Sequence, residues 1–108
     1  MERKEAERLA DNIANEYAKN GASEKVINDL KTLRNYFIEI KDPKITKLLR
    51  LVYENFESGN EFDFTVEDFN EEEAEMSSFE YLMQLITAYD NTYNREELEE
   101  YKQALMNA

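Results

Sequence analysis

VINDLKTLRNYFIEIKDPKITKLLRLVYENF, residues 26–56, decides the fold. Val26, Ile27, Leu30, Leu33, Phe37 and Ile40 recur at spacings of three and four, the signature of a helix with one apolar face. Asp42-Pro43 interrupts that stripe and restarts it. An aspartate can accept hydrogen bonds from the free N–H groups of a first helical turn, and a proline at the first helical position loses nothing by lacking an N–H. Ile45, Leu48, Leu49, Val52, Tyr53 and Phe56 then fill one face of a second helix, which Ser58-Gly59-Asn60 ends. Two capped amphipathic helices joined by a tight corner predict a helical bundle.

Upstream the same grammar holds. Ala6, Leu9, Ala10, Ile13, Ala14 and Tyr17 form a helical stripe closed by Asn20-Gly21, and Ser23 is a suitable N-cap for the helix that follows. Downstream, residues 79–89 are apolar almost all round, which predicts the most buried helix. Asn94, with Glu97 three residues on, predicts the cap of a last helix whose Leu98, Tyr101 and Leu105 face inward.

Between these lies an ambiguous stretch. Glu61-Phe62-Asp63-Phe64-Thr65-Val66-Glu67 alternates acid and apolar residues with period two, so a short extended segment is expected over residues 61–66, with Phe62, Phe64 and Val66 on one side. No second strand is available to pair with it. Thr65 with Asp68 and Ser77 with Glu80 both resemble capping boxes. Either one helix runs from about Val66 to Asp90, or two meet near Ser77-Ser78; two is the reading adopted. The expected architecture is a single all-α domain over residues 1–108, a small bundle of four to five short amphipathic helices.

Composition agrees with a folded helical protein. The chain has 108 residues, 42% hydrophobic, with two Gly and one Pro, enough to bury roughly 60 to 65% of the surface its unfolded form exposes. There is no long apolar run, and Met1 opens into Glu2-Arg3-Lys4-Glu5, so no membrane association is expected and a cytoplasmic location is. The absence of Cys agrees with a reducing compartment.

The charge is segregated. Residues 1–53 carry 11 Lys/Arg against 9 Asp/Glu, whereas residues 54–108 carry 2 against 16, for a net charge of −12. From Leu51 through Asn94 there is no basic residue. Such a field repels nucleic acid and attracts basic surfaces. Lys44, Lys47 and Arg50, with Lys41 just before, offer the opposite sign, either to the acidic half of the same chain or to that of a neighbour in a salt-sensitive homodimer.

Chemistry is bounded by what is missing. With no His and no Cys, imidazole catalysis, thiol nucleophiles and zinc sites are excluded. Gly21 and Gly59 stand alone, so no phosphate-cradling loop exists. Placing Gly59 at the sixth position of a calcium loop puts Phe56 and Thr65 at ligand positions, and the match fails. Asp29, Glu39 and Lys41 have the residue types of a metal-dependent nuclease motif, but their segment reads as helix and the net charge opposes DNA. No metal, cofactor or catalytic residue is therefore expected, and the chain reads as non-enzymatic.

What remains is binding to a basic protein partner, with no direct contact to nucleic acid. The expected partner-binding residues are Glu67, Asp68, Glu71, Glu72, Glu73 and Glu75, with Phe62 and Phe64 as apolar anchors. If residues 67–75 are helical, six carboxylates lie along roughly 13 Å, about one per 2 Å, close to the roughly 1.7 Å per charge of duplex DNA. In physical type, though not in motif, the chain then resembles phage-encoded anti-restriction and anti-CRISPR proteins. That resemblance implies a nucleic-acid mimic inhibiting a DNA- or RNA-binding protein. Short capped helices around one core are also similar in architecture to small bacteriocin-immunity bundles, which implies an immunity or antitoxin role. Two plainer readings stand beside these: the acids can be a solvated face, and the phenylalanines can tuck into the core.

Overall fold

The computed structural model describes residues 1–108. Five helices of ten residues or more follow one another: α1 (Arg3–Asn20), α2 (Glu24–Glu39), α3 (Pro43–Glu57), α5 (Ser78–Thr87) and α6 (Thr92–Met106); a single turn, α4 (Glu71–Ala74), lies in the connection between α3 and α5. There are no strands. The all-α bundle read from the apolar stripes is the observed fold.

Most punctuation is where the residue types place it. Gly21 ends α1 with φ 67, and its N–H closes on the Tyr17 carbonyl; a left-handed position of this kind is where glycine carries no steric penalty. Ser23 accepts from the Val26 N–H at the start of α2, and Asp42 accepts from the Ile45 N–H at the start of α3, with Pro43 in the first turn. The last helix differs. Its cap is Asn91, not Asn94, because Asn91 Oδ1 accepts from both the Tyr93 and Asn94 N–H groups. Asn94 turns its side chain back to donate to the Ala88 carbonyl at the end of α5.

Packing follows the stripes. α2 packs on α3, α1 on α2 and α5, and α6 on α3 and α5. Successive long helices run in alternate directions, so the N-termini of α1, α3 and α6 share one end of the bundle with the C-termini of α2 and α5. One cluster of 22 buried apolar side chains runs through all five, and its largest fully buried members include Tyr101, Phe37 and Phe79. α5 is the most enclosed helix, with Ser78, Phe79, Leu82, Met83, Leu85 and Ile86 buried. The radius of gyration is 12.6 Å, against about 13 Å for a compact chain of this length.

Two tyrosines outside the apolar stripes are nonetheless drawn inward. Tyr36 is buried, its hydroxyl 3.1 Å from that of Tyr89 and its ring edge-on to Phe37. Tyr81 is half-buried, and its hydroxyl donates to the Glu97 carboxylate at 2.7 Å. Tyr93, by contrast, is exposed, at 77%.

Candidate functional site

The connection between α3 and α5 is where the acidic half of the chain gathers. Residues 60–66 form neither helix nor strand, and their burial alternates with the period of two that the sequence shows. Glu61, Asp63 and Thr65 face solvent, Phe62 and Phe64 are half-buried, and Val66 is buried.

Three contacts hold this segment against the bundle. Asn55 Nδ2 donates to the Glu61 carbonyl at 3.1 Å. Burial pushes the nearby Tyr17 hydroxyl above the ordinary tyrosine range, and the Phe62 N–H opposes the rise. The Phe62 ring meets Phe79 at 5.4 Å, Tyr101 at 6.0 Å and Phe56 at 6.4 Å. Ser78, the one buried polar residue, donates its hydroxyl proton to the Phe64 carbonyl. Its single proton is thereby used, so the Tyr101 hydroxyl, 2.6 Å away, donates to Ser78 Oγ.

The helix expected from about Val66 is absent. Val66 is buried, and Phe69 closes a turn onto the Val66 carbonyl. Helical structure begins only at Asn70, which accepts from the Glu72 and Glu73 N–H groups, and it stops at Glu75, whose φ is 55. Adjacent carboxylates with no Lys or Arg one turn away give the segment no reason to continue as a helix. Glu67 and Asp68 therefore lie in a turn and Glu75 in a left-handed terminus. The regular row of six carboxylates, on which the DNA-like spacing rested, does not form.

What forms instead is an aromatic ridge bordered by acids. An open groove of about 420 Å³ is lined by Phe62, Asp63, Phe64, Thr65, Phe69, Asn70, Glu71 and Glu72. A second of about 610 Å³ lies across the ridge, beside Asn60, Glu61 and Ala108. Phe69 is held flat on Tyr81, ring centroids 4.4 Å apart and planes 21° from parallel. Burial, and behind it the Glu97 carboxylate, holds the Tyr81 hydroxyl well above the ordinary tyrosine range.

The acids of this face are electrostatically unanswered. Ion pairs join Glu39, Glu7, Asp90, Asp29, Glu57, Glu99, Glu54 and Asp42 to cations, and none involves Glu61, Asp63, Glu67, Asp68, Glu71, Glu72, Glu73 or Glu75. Lys44 does reach Glu99 on α6 at 3.3 Å, so the basic face of α3 neutralises part of the acidic half. Arg50 is taken by Glu54 of its own helix. Nor do the unpaired carboxylates converge: no three are placed to hold a metal ion.

Of the residues singled out in the sequence, Phe62, Phe64, Glu71 and Glu72 line one groove. Asp68 and Glu73 border a neighbouring hollow around Phe69 and Tyr81. Sequence reasoning did not find the Ser78–Tyr101 relay. Paired serines at a helix start signal a cap, and they do not say which of the two turns inward.

Fold and face together define the chain as a small acidic helical bundle whose long aromatic connection carries eight carboxylates without an ion pair. No protein-family model matches it, and no curated protein or solved structure does so either. No helix is long and apolar enough to cross a membrane.

Proposed function

We propose that this chain is a non-enzymatic interaction module of the cytoplasm that receives a basic segment of a protein partner on the connection between α3 and α5. The observation that carries the reading is the set of eight carboxylates over residues 61–75 with neither an ion pair nor a side-chain hydrogen bond. They surround half-exposed aromatic rings. Carboxylates steer a cationic partner to the face and set its orientation. Aromatic faces between them accept guanidinium groups and the apolar stems of Arg and Lys.

A nucleic-acid mimic remains the second reading, supported by the −12 charge and no longer by a regular charge spacing. The two predict different probes. A short peptide alternating Arg with Leu, titrated into the labelled protein and followed by amide chemical shifts, should perturb residues 61–75 and lose affinity when Asp63, Glu71 and Glu72 become Asn, Gln and Gln. Shifts scattered over the whole acidic half, insensitive to those substitutions, would remove the groove from the reading.

A further inference from the structure

The five long helices close on one another without the connection. α1 packs on α2, α2 on α3, α3 on α6, α6 on α5 and α5 back on α1, a complete ring. Residues 60–75 lie over the junction of three of these helices, where the Phe62 ring meets Phe56 of α3, Phe79 of α5 and Tyr101 of α6. Side chains make the attachment. Of the backbone hydrogen bonds outside the helices, none joins residues 61–75 to a long helix. Asn55 instead holds the Glu61 carbonyl, Ser78 holds the Phe64 carbonyl, and Phe69 rests on Tyr81. A segment with few buried apolar contacts and no main-chain ladder belongs to the low-stability end of a fold.

Left-handed residues bracket this segment. Gly59 has φ 83 and Glu75 has φ 55; glycine adopts such a value freely, whereas for glutamate it is strained. Both stand where a helix stops, Gly59 just beyond α3 and Glu75 just after α4. Residues at the ends of elements are the ones that absorb the φ and ψ changes of a hinge. Charge, meanwhile, works against the closed position. Residues 61–75 carry eight carboxylates without an ion pair, and closure sets Glu71 near the acids of α6, since Glu71, Glu97 and Glu100 all bear on the Tyr101 hydroxyl.

We infer that residues 60–75 form a strap that lifts off the bundle as a unit, turning about Gly59 and Glu75 while the five helices stay packed, and that like-charge repulsion sets how often it lifts. Closed, the strap buries Val66, half-buries Phe62 and Phe64, and displays its carboxylates as a fixed face. Open, it withdraws Phe62 from Phe56, Phe79 and Tyr101, and an aromatic floor between α3, α5 and α6 meets water together with the Ser78 and Tyr101 hydroxyls. Dissolved salt weakens the repulsion and leaves the apolar contacts intact, so it holds the strap down. The motion belongs to the free chain and needs no partner.

Thiol labelling of the full chain tests it. The chain has no Cys, so one introduced thiol reports one site. Val66→Cys places it on the inner side of the strap, at a position 3% exposed, and Val52→Cys makes the same exchange inside α3 at 0%. Iodoacetamide, an uncharged reagent, should label position 66 about 100-fold faster than position 52, with a free peptide of residues 60–75 carrying Cys at 66 supplying the intrinsic rate. Raising NaCl from about 0.05 to 0.5 M should slow labelling at position 66, relative to that peptide, by about threefold or more. Glu71→Gln, Glu72→Gln and Glu73→Gln together should slow it at the lower salt and remove most of the salt effect. Should Val66→Cys fold poorly, exchange of the wild-type Phe69 amide, which bonds to the Val66 carbonyl, is compared with that of the Leu98 amide within α6 at the same two salts. Equal opening at strap and helix, meaning that the strap lifts only when the bundle unfolds, would overturn the inference, as would opening of the strap that salt leaves unchanged or raises.

Discussion

Asp42 and Arg95, 53 positions apart, join the first turns of two helices. The Asp42 carboxylate accepts the Ile45 N–H at 3.3 Å, capping α3, and also takes Arg95 Nη1 at 2.8 Å and Nη2 at 3.1 Å, fixing the start of α6 beside it. Arg95 spends a further bond on the Tyr89 carbonyl at 3.1 Å, so the turn leading out of α5 is tied into the same knot. One carboxylate thus serves as local cap and as long-range clamp.

Replacing that carboxylate should remove both roles. Burial opposes charge on Asp42, but the Arg95 guanidinium and the Ile45 N–H outweigh it and hold the carboxyl below its usual range. A depressed folded value means that the contribution is present above the unfolded value near 3.8 and is lost as pH falls through the lower folded one. Asp42→Ala should cost about 2 kcal/mol by denaturant unfolding at neutral pH. The gap to the wild type should narrow below about pH 4.

Tyrosine ionisation should limit stability at the alkaline end. Burial pushes Tyr101 up to about 12 and, with the Tyr89 hydroxyl alongside, does the same to Tyr36. A raised folded value means that this contribution is complete below the unfolded value of 10.0 and declines as pH rises toward 12. Unfolding midpoints should therefore fall across that interval. Tyr101→Phe should flatten the fall while costing about 1 to 2 kcal/mol at pH 7 through the lost bond to Ser78.

Phe62 supports the core more than it serves as a free anchor. Its ring meets Phe56, Phe64, Phe79 and Tyr101. Phe62→Ala should cost about 2 to 4 kcal/mol and speed amide exchange over residues 61–69. A loss below about 0.5 kcal/mol, the range of ordinary surface substitutions, would return the ring to the role of a partner anchor.

Salt should stabilise this protein. Eight unpaired carboxylates crowd one connection, whereas the ion pairs elsewhere are mostly exposed and weak. Raising NaCl to about 0.5 M should lift the melting temperature by about 2 to 5 °C. A lower melting temperature would mean that the pairs around Asp42 and Glu99 outweigh the repulsion.

Helix existence and most boundaries could be read from the chain because they are local. A Ser, an Asp-Pro or a Gly acts within one turn of where it stands, and the three-and-four spacing of Leu30, Leu33 and Phe37 states which face is inward before any partner is known. The same locality explains the alternation over residues 61–66, whose phenylalanines turn inward wherever the segment runs. The acidic polarity of the second half was legible too, since it depends on composition alone.

Residues 66–77 were not legible, because two local signals conflicted. Thr65-Asp68 and Ser77-Glu80 each offered a cap, and the core decided between them: Ser77 caps α5, whereas burying Val66 and laying Phe69 on Tyr81 keeps the chain out of a helix before Glu71 and leaves only four residues to turn. Tertiary structure likewise decided which carboxylates find cations. Arg3 reaches Asp90 and Arg95 reaches Asp42 because alternating helices bring distant termini to one end. The carboxylates of residues 61–75 reach none. Caps and stripes act over a few ångströms of one chain, whereas which carboxylates meet a cation from a distant segment is a property of how five helices are stacked, and stacking is set by packing.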